Sequence, residues 1–328
     1  MNDRPRVDIV LGVLREPSGH VWAEIRPDGA HLAGALAFPG GKRHQGESRR
    51  DALRRELVEE CGVQVLRARR LMQVAWDYPD RRLHLVAFEV TRWRGEPRGQ
   101  EGQRIERRLL SPATRLEWLA AMPPANRGLV NALVLPRCMA ITRPARRGES
   151  AGEWTDQVKA RLADLPAAVA VNLRPGGEIS LSAGEWSDLV RTVSRAGHWP
   201  IVNPAGDSAL PDGLPAGAGV HLNHLRLLRA NRATVEAWQQ EGRPVTAAVH
   251  DRVTLEHAND LAVDLATISP VRPTATHPEA AGMGWPAFAE LAARARMPVL
   301  ALGGLSMRDL PRAWRRGGHG IASISAFW

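Results

Sequence analysis

The chain has 328 residues, more than one compact domain usually holds, so two domains are expected. Hydrophobic residues make up 44% and charged residues 24%, a globular balance that excludes a disordered or fibrous chain. The net charge of +9 favours anionic partners such as phosphates, but no basic stripe with interleaved aromatic residues occurs, so nucleic acid is not expected as a stable partner.

Two features of the sequence bear on the cellular compartment. Cys61 and Cys138 are the only cysteines, so the sequence has neither a disulfide framework nor a CxxC metal site. No stretch is long and apolar enough to cross a bilayer, and the first residues lack a basic segment followed by a long apolar run. We therefore expect a soluble, cytoplasmic protein without a membrane partner.

An α+β pattern occupies the N-terminal third. Residues 7–14 and 83–90 are apolar, β-branched runs of strand length, and residues 48–61 between them have helical periodicity. A proline pair and a short helical stretch occupy 121–136, after which the pattern changes. The sequence therefore predicts a first domain over residues 1–135.

The helix over residues 48–61 has clear end signals. Ser48, with Asp51 three residues later, forms an N-cap, and Gly62 is a natural C-terminal stop. Apolar residues recur at i, i+4 and i+8, which predicts one buried stripe. These residues are Leu53, Leu57 and Cys61.

Glu56, Glu59 and Glu60 share one face of this helix, because they fall at i, i+3 and i+4. Such a cluster is costly unless a cation neutralises it, since each carboxylate raises the pKa of the others. Mg²⁺ suits it, because Mg²⁺ prefers oxygen ligands and substrate phosphates. It would orient a diphosphate and activate water for attack at phosphorus, while Arg55, beside Glu56, would hold a carboxylate by a bidentate pair. The commonest alternative for such a run is an exposed helix with salt bridges.

A longer pattern decides against that alternative. The segment resembles the complete Nudix box, G-x5-E-x7-R-E-U-x-E-E-x-G-U, where U is aliphatic. Its fixed positions are Gly41, Glu47, Arg55, Glu56, Leu57, Glu59, Glu60, Gly62 and Val63. The resemblance implies a Nudix hydrolase, which cuts phosphoanhydride bonds, in an α+β fold with a mixed sheet between helices.

The resemblance covers about residues 7–135 and is to the MutT-type 8-oxo-dGTP diphosphatases. Segments 38–42, 78–81, 93–103 and 123–126 resemble that family in order and spacing. The resemblance implies a nucleoside triphosphate substrate, hydrolysed from 8-oxo-dGTP to 8-oxo-dGMP and pyrophosphate with Mg²⁺, or Mn²⁺ in its place. Such a reaction cleans the nucleotide pool and so contributes to DNA repair.

The same resemblance implies which residues hold the metal and perform catalysis. The implied metal ligands are Glu56, Glu59, Glu60, Glu101 and the carbonyl of Gly40. Either Glu101 or Glu56 would be the general base, since both could lie within reach of a metal-bound water, and the sequence does not decide between them. Arg55 completes the catalytic set.

The resemblance also implies a nucleotide pocket. Its residues are Arg26, Phe38, Gly41, Lys42 and Asn126. Asn126 matches the asparagine that contacts the oxidised guanine, and the alternative is that its side chain caps the following helix. Two positions depart from the family: Ile25 stands where the first of two arginines is usual, and Ala37 replaces the glutamate usual before FPGG. The nucleobase pocket is therefore only partly matched.

Eight short strand candidates follow residue 136 and alternate mostly with amphipathic helices. They lie at 138–142, 168–173, 200–203, 219–223, 245–250, 265–271, 299–304 and 320–327. This alternation predicts an α/β domain over residues 136–328, a parallel (β/α)8 TIM-type barrel with short loops.

The second domain resembles thiamine-phosphate synthases and the related TenI thiazole tautomerases. Segments 219–222 and 250–328 carry this resemblance, which covers about residues 136–328. The Gln-x-Arg-x-Lys motif of the synthases reads Asn-Leu-Arg-Pro-Gly at 172–176, and their Asn-Asp pair reads Asn-Pro at 203–204. The acidic residue after GVHL is also replaced, so Mg-pyrophosphate chemistry is not expected here. We interpret the barrel as a degenerate or phosphate-ligand-binding domain whose partner is a phosphorylated small molecule.

Barrel sites lie at the C-terminal ends of strands. The candidate residues there are Asn172, Arg174, Asn203, His221, Asn223, His250, Thr274, Thr276, Gly303, Gly304, Ser323 and Ser325. From these we select Arg174, His250, Gly303, Gly304 and Ser325 as the ligand site. The two glycines resemble the family's phosphate-binding turn. His250 matches the tautomerase histidine, an acid or base near neutral pH, although a lone strand-end histidine is more often structural.

Three functions therefore compete. The first is an 8-oxo-dGTP diphosphatase with an attached barrel. The second directs the same chemistry at a thiamine-related diphosphate, which the fusion and Ile25 suggest. In the third, the barrel senses a phosphate ligand and regulates the hydrolase.

Overall fold

The computed structural model describes residues 4–26, 32–206, 209–274 and 281–328. The chain divides into two compact units, Met1–Leu135 and Pro136–Trp328. Among the described residues, no helix is both long enough and apolar enough to span a membrane.

Within its described residues, 4–26 and 32–135, the first unit contains six strands and three α-helices. They are β1 (Arg6–Leu14), β2 (His20–Ile25), β3 (Leu36–Ala37), α1 (Arg49–Cys61), β4 (Gln64–Asp77), β5 (Arg82–Arg94), β6 (Arg104–Leu109), α2 (Arg115–Ala121) and α3 (Arg127–Val134). One sheet has the order β1-β5-β4, with β1 and β5 parallel and β4 antiparallel to β5. The other has the antiparallel order β3-β2-β6.

The β1-β5-β4 sheet lies between helices, because alternate residues of β1 face opposite sides. Val10 and Leu14 pack in one core with α1, whereas Leu11 and Val13 pack in another with residues of α2 and α3. The predicted α+β architecture, with a mixed sheet between helices, is confirmed.

Helix α1 begins and ends as its caps predict. The Ser48 hydroxyl accepts a hydrogen bond from the Asp51 backbone N–H at 3.2 Å, and Gly62 has the left-handed φ of 68° that closes the helix. The expected stripe of Leu53, Leu57 and Cys61 is buried. This packing fixes which face of the helix remains for the glutamates.

The second unit is a closed parallel barrel of eight strands. They are β7 (Cys138–Ile141), β8 (Ala170–Leu173), β9 (Trp199–Val202), β10 (Gly219–Leu222), β11 (Val245–Val249), β12 (Leu265–Ile268), β13 (Val299–Leu302) and β14 (Gly320–Ser323). Its helices are α4 (Ala151–Arg161), α5 (Ala183–Arg195), α6 (His224–Arg229), α7 (Arg232–Gln240), α8 (Arg252–Leu261), α9 (Gly284–Arg294) and α10 (Leu310–Arg315). Neighbouring strands follow chain order, and β14 pairs with β7. The predicted TIM-type barrel is confirmed.

Candidate active site

A glycine turn, residues 38–42, runs beside β1 and sets the position of the site. The Val10 N–H donates to the Gly41 carbonyl at 2.9 Å, and the Gly12 N–H donates to the Pro39 carbonyl at 2.8 Å. Gly40 has a φ of 139°, and a Cβ there would lie 2.1 Å from the Val10 carbonyl oxygen. Only glycine therefore fits at residue 40 without moving the strand.

The turn is joined to α1 through Glu60. The Gly40 backbone N–H donates to the Glu60 carboxylate at 2.6 Å. The pKa of Glu60 is raised to about 7, chiefly by burial and also by the charges of Glu24, Glu56 and Glu101, while the Gly40 hydrogen bond opposes the shift. Four carboxylates therefore influence one another at the Gly40 end of α1.

Arg55 organises the exposed part of this face. Its guanidinium contacts both carboxylate oxygens of Glu47, at 3.0 and 3.1 Å, and it donates once to Glu56 at 2.8 Å and once to Glu59 at 2.9 Å. The bidentate pair expected from Arg55 is therefore made with Glu47, which comes from the loop before the helix, rather than with its neighbour Glu56. These hydrogen bonds from Arg55 lower the pKa of Glu47 to about 2.

The carboxylates differ in exposure. Glu56 is buried, and its carboxylate lies so close to Gly41 that a Cβ there would be 2.5 Å from an oxygen. The Glu59 side chain is 49% exposed. Glu101 is exposed and its loop is attached to the end of α1, because the Gln100 N–H and the Gln103 amide both donate to the Glu60 carbonyl, at 3.0 and 3.1 Å.

The chemistry of these donors fits a divalent cation such as Mg²⁺. In the described part of the chain, no three acidic, histidine or cysteine side chains are already gathered as a ligand set. The donors are nevertheless hard carboxylate oxygens whose mutual repulsion a cation would relieve, which is the ligand type that Mg²⁺ prefers. Glu56, Glu59, Glu60 and Glu101 are the residues that would hold it.

A pocket of about 260 Å³ opens beside the glycine turn. The structure brings six of the predicted residues to its wall: Arg26, Phe38, Gly40, Gly41, Lys42 and Asn126. The carboxylates Glu56, Glu59, Glu60 and Glu101 are not among its lining residues, and they adjoin it through Gly40 and Gly41. The acidic helix face and the pocket therefore meet at the glycine turn.

Asn126 faces the pocket and does not cap the following helix. Asn126 immediately precedes α3, but its side chain makes no capping hydrogen bond. The side chain is buried, and its amide nitrogen lies 3.7 Å from the Met122 sulfur. Nearby, Phe38 stacks on Trp118 with ring centroids 6.0 Å apart, which holds the pocket wall in place.

Three polar residues of the pocket wall, Glu24, Tyr78 and Arg81, were not among those predicted from the sequence. Tyr78 and Arg81 lie in the segment 78–81 that resembles the MutT family, so a signal was present for them. Arg26 and Arg81 act on Tyr78, whose pKa is raised by burial and lowered by these two charges. Glu24, the third, carries no sequence signal. The pocket thus has two arginines on its wall although Ile25 departs from the family pattern.

The barrel has its own pocket, of about 520 Å³, at the C-terminal ends of its strands. Arg174 and His250 line it, as predicted, together with His221. The predicted Gly303, Gly304 and Ser325 are not among the lining residues of this pocket. The two glycines instead lie against residues 270–273, close enough that a Cβ would meet that backbone at 2.9 and 2.7 Å. Thr276 lies outside the described residues.

The two histidines of this barrel pocket differ in character. His250 Nδ1 lies 2.9 Å from the Ser269 carbonyl oxygen, so Nδ1 carries the proton and Nε2 is left as an acceptor. The pKa of His221 is lowered to about 3, chiefly by burial and also by the charges of Arg174, Arg226 and His250. His221 is therefore neutral, and the positive charge of the pocket comes from Arg174.

Comparison with known proteins agrees with this division of the chain. The NUDIX domain family model matches residues 10–132, and the thiamine monophosphate synthase model matches residues 184–327. The fold and the site define a Nudix hydrolase acting on phosphoanhydrides. The chain belongs to the Nudix family through its MutT-like N-terminal unit, to which a thiamine-phosphate-synthase-like barrel is fused.

Individual relatives match each part separately. The 8-oxo-dGTP diphosphatase of Haemophilus influenzae is 33% identical over 135 residues, which are 40% of this chain and 94% of that protein. The putative thiamine-phosphate synthase 2 of Aquifex aeolicus is 32% identical over 80 residues, 24% of this chain and 43% of that protein. A solved MutT structure, from a study of the Aliivibrio salmonicida and Vibrio cholerae proteins, is 31% identical with a TM-score of 0.34, covering 39% of this chain and 96% of that one.

Proposed function

We propose that the N-terminal unit hydrolyses 8-oxo-dGTP to 8-oxo-dGMP and pyrophosphate, using Mg²⁺ or Mn²⁺. The observation that carries this proposal is the pocket in which buried Asn126 and the Gly40–Gly41 turn face the same space, with the acidic helix face adjoining the turn. The bound cation would neutralise the phosphates and activate water. The similarity to 8-oxo-dGTP diphosphatases supports the choice of nucleotide.

Each residue of the site would have a separate role in binding or catalysis. Arg26 and Lys42 would bind phosphate oxygens, and the Asn126 amide would pair with the edge of the base, because it can both donate and accept. Glu101 would take the proton from water. Its carboxylate forms no hydrogen bond or ion pair within the ranges that the structure describes, whereas Glu56 already accepts from Arg55.

Arg55 would act as a positioning residue. It contacts Glu47, Glu56 and Glu59 and does not line the pocket. Its charge orients the carboxylates and offsets their repulsion.

Turnover of the full-length chain with Mg²⁺ tests the nucleotide preference. We expect kcat/KM for 8-oxo-dGTP to exceed that for dGTP by at least about tenfold, and thiamine diphosphate to be a poor substrate. Asn126→Ala should lower kcat/KM for 8-oxo-dGTP by roughly 10- to 100-fold, because a buried hydrogen-bonding group is lost. Equal rates for 8-oxo-dGTP and dGTP in the wild type would contradict a role in nucleotide-pool sanitation.

A second function is favoured for the barrel, namely binding of a phosphorylated small molecule. Arg174 is the charged residue of the barrel pocket, and no acidic residue is found among its described lining. Burial lowers the pKa of Arg174, and its guanidinium makes no hydrogen bond or ion pair with another described residue. Such a group gains from an anionic ligand.

Calorimetric titration of the full-length chain with thiamine phosphate and with inorganic phosphate tests this binding. Arg174→Ala should weaken binding by about tenfold or more, since one charge-assisted hydrogen bond contributes about 1.5–3 kcal/mol. Unchanged affinity in Arg174→Ala would show that the pocket does not bind the anion. Acceleration or inhibition of nucleotide hydrolysis by the same compounds would indicate a regulatory barrel.

A further inference from the structure

Two buried polar side chains stand next to each other on the wall of the barrel pocket. Strands β9 and β10 are parallel and in register up to Val202 and Val220. The next residues, Asn203 and His221, therefore follow side by side at the C-terminal ends of these strands. Both line the 520 Å³ pocket, although only 4% and 6% of their surfaces are exposed. Such nearly enclosed polar groups at an open pocket are placed to contact a ligand.

Thr246, on the neighbouring strand β11, fixes the position of the proton on His221. Its Oγ1 lies 2.8 Å from His221 Nδ1 and 3.3 Å from the Val220 carbonyl oxygen. The carbonyl can only accept, so the Thr246 hydroxyl donates to it, and the His221 Nδ1–H donates to the Thr246 oxygen. His221 is neutral, since burial and nearby positive charges lower its pKa to about 3. Its other ring nitrogen, Nε2, therefore carries no proton and is an acceptor.

This acceptor of His221 is open to the pocket. Among the described residues, Nε2 has no hydrogen-bond partner, and the surrounding protein does not enclose it completely. A buried acceptor without a donor is unfavourable until water or a ligand supplies one. The pocket therefore presents a lone pair, and not an N–H, at this point of its wall.

Asn203 presents a second acceptor beside the first. Its amide nitrogen donates to the side-chain oxygen of Asn172 at 3.1 Å, and the amide nitrogen of Asn172 faces the Met139 sulfur at 3.8 Å. Because sulfur is an acceptor, this chain of contacts fixes the orientation of both amides. The side-chain oxygen of Asn203 is left without a partner in the part of the chain that the structure describes. Two neighbouring groups thus call for donors.

We propose that Thr246 is a positioning residue which, by fixing the tautomer of His221, makes the barrel select phosphate esters that also carry an N–H donor. The phosphate would pair with Arg174, and the donor would bind His221 Nε2 and the Asn203 side-chain oxygen. A ligand with an apolar or acceptor group at this wall would leave both buried acceptors unpaired. The inference rests on the proposed binding of a phosphorylated small molecule and adds the group that such a molecule must carry.

Two phosphate esters of equal length test this selectivity. The full-length chain is titrated calorimetrically with 2-aminoethyl phosphate and with n-propyl phosphate, which has a methyl group in place of the amino group. The wild type should bind the amino ester at least about tenfold more tightly, because one charge-assisted hydrogen bond contributes that much. Equal affinities would overturn the inference and leave the binding of phosphate esters intact. Absence of binding by both esters and by inorganic phosphate would overturn the proposed barrel function itself.

Thr246→Val separates the tautomer of His221 from the rest of the pocket. Valine keeps the shape of threonine but removes the oxygen that accepts from Nδ1, so the proton is no longer held there. The preference for the amino ester should fall by about fivefold or more, while the Kd for inorganic phosphate stays within about twofold of wild type. Thr246→Ser keeps a hydroxyl and should keep the preference. An unchanged preference in Thr246→Val would refute the role of Thr246.

Thr155→Val is the matched control. Thr155 is also buried, and its hydroxyl also donates to a carbonyl, that of Gly152 at 2.9 Å, but it lies on α4 and does not line the pocket. This variant should leave the preference for the amino ester unchanged, because it is remote from His221. An equal loss of preference in Thr155→Val and Thr246→Val would reduce the effect to the loss of any buried hydroxyl and overturn the inference.

The tautomer of His221 can also be measured directly, without a ligand. Proton–nitrogen correlation NMR spectra distinguish a protonated Nδ1 from a protonated Nε2, and comparison with His221→Gln identifies the signals of this residue. The wild type should carry the proton on Nδ1, and Thr246→Val should carry a larger share on Nε2. A proton on Nε2 in the wild type would overturn the inference even if the Thr246→Val protein did not fold.

Discussion

Replacing Glu60 by glutamine is expected to lower kcat by at least about 100-fold, because Glu60 lies where the glycine turn, α1 and the 98–103 loop meet. The substitution removes a negative charge but keeps the shape of the side chain. The amide oxygen of glutamine can still accept the hydrogen bond from Gly40, which is 2.6 Å long in the native protein. Glu59→Gln should also lower turnover strongly, since Glu59 shares the same helix face.

Two measurements separate this catalytic loss from unfolding. The metal-free Glu60→Gln protein should unfold at a Tm no lower than wild type, because the charge of Glu24 no longer has a charged neighbour at residue 60. Glu117→Gln, an exposed acid on α2, should leave both Tm and kcat nearly unchanged. Near-normal turnover in both Glu59→Gln and Glu60→Gln would show that the glutamates on this face of α1 do not take part in catalysis.

Replacing Gly40 by alanine is expected to abolish most activity and to destabilise the N-terminal unit by about 2 kcal/mol or more. The new Cβ would overlap the Val10 carbonyl oxygen at 2.1 Å, and the backbone would have to hold a φ of 139° with a side chain attached. Relief of this overlap moves the turn away from β1, which also displaces the N–H that binds Glu60. Denaturant unfolding and steady-state turnover measure the two effects.

Gly46→Ala is the control for the glycine effect alone. Gly46 lies in the same connection to α1 and has a φ of 80°, but a Cβ there would meet no atom within 4 Å. It should cost only about 1 kcal/mol of backbone strain and leave most of kcat in place. Equal losses of kcat in Gly40→Ala and Gly46→Ala would show that the close approach to Val10 is not what positions the site.

Local signals explain what the sequence predicted well. Helix α1 was expected over 48–61 and extends over Arg49–Cys61, because its cap at Ser48, its stop at Gly62 and its apolar stripe are all set within one segment. The strands of the barrel could also be predicted from local sequence. Each is a short buried run, most are separated by helices, and eight such units in alternation are the pattern of a closed parallel barrel.

Contacts between distant segments could not be predicted in the same way. The sequence places Arg55 beside Glu56. The guanidinium of Arg55 instead donates to both carboxylate oxygens of Glu47, because the loop before α1 folds back onto the helix. Glu24 reaches the pocket wall beside Ala37 only through the register of β2 against β3. Gly303 and Gly304 meet residues 270–273, a packing that depends on the loop after a different strand.

Strands β4 and β6 each form one edge of the two open sheets of the first unit, and this has a consequence for the behaviour of the protein in solution. An edge strand offers unpaired N–H and C=O groups on which another chain can assemble, and charged side chains discourage this. Both edges carry exposed arginines: Arg67, Arg70, Arg104, Arg107 and Arg108. The closed barrel needs no such protection. Part of the arginine excess therefore discourages association of other chains at these sheet edges.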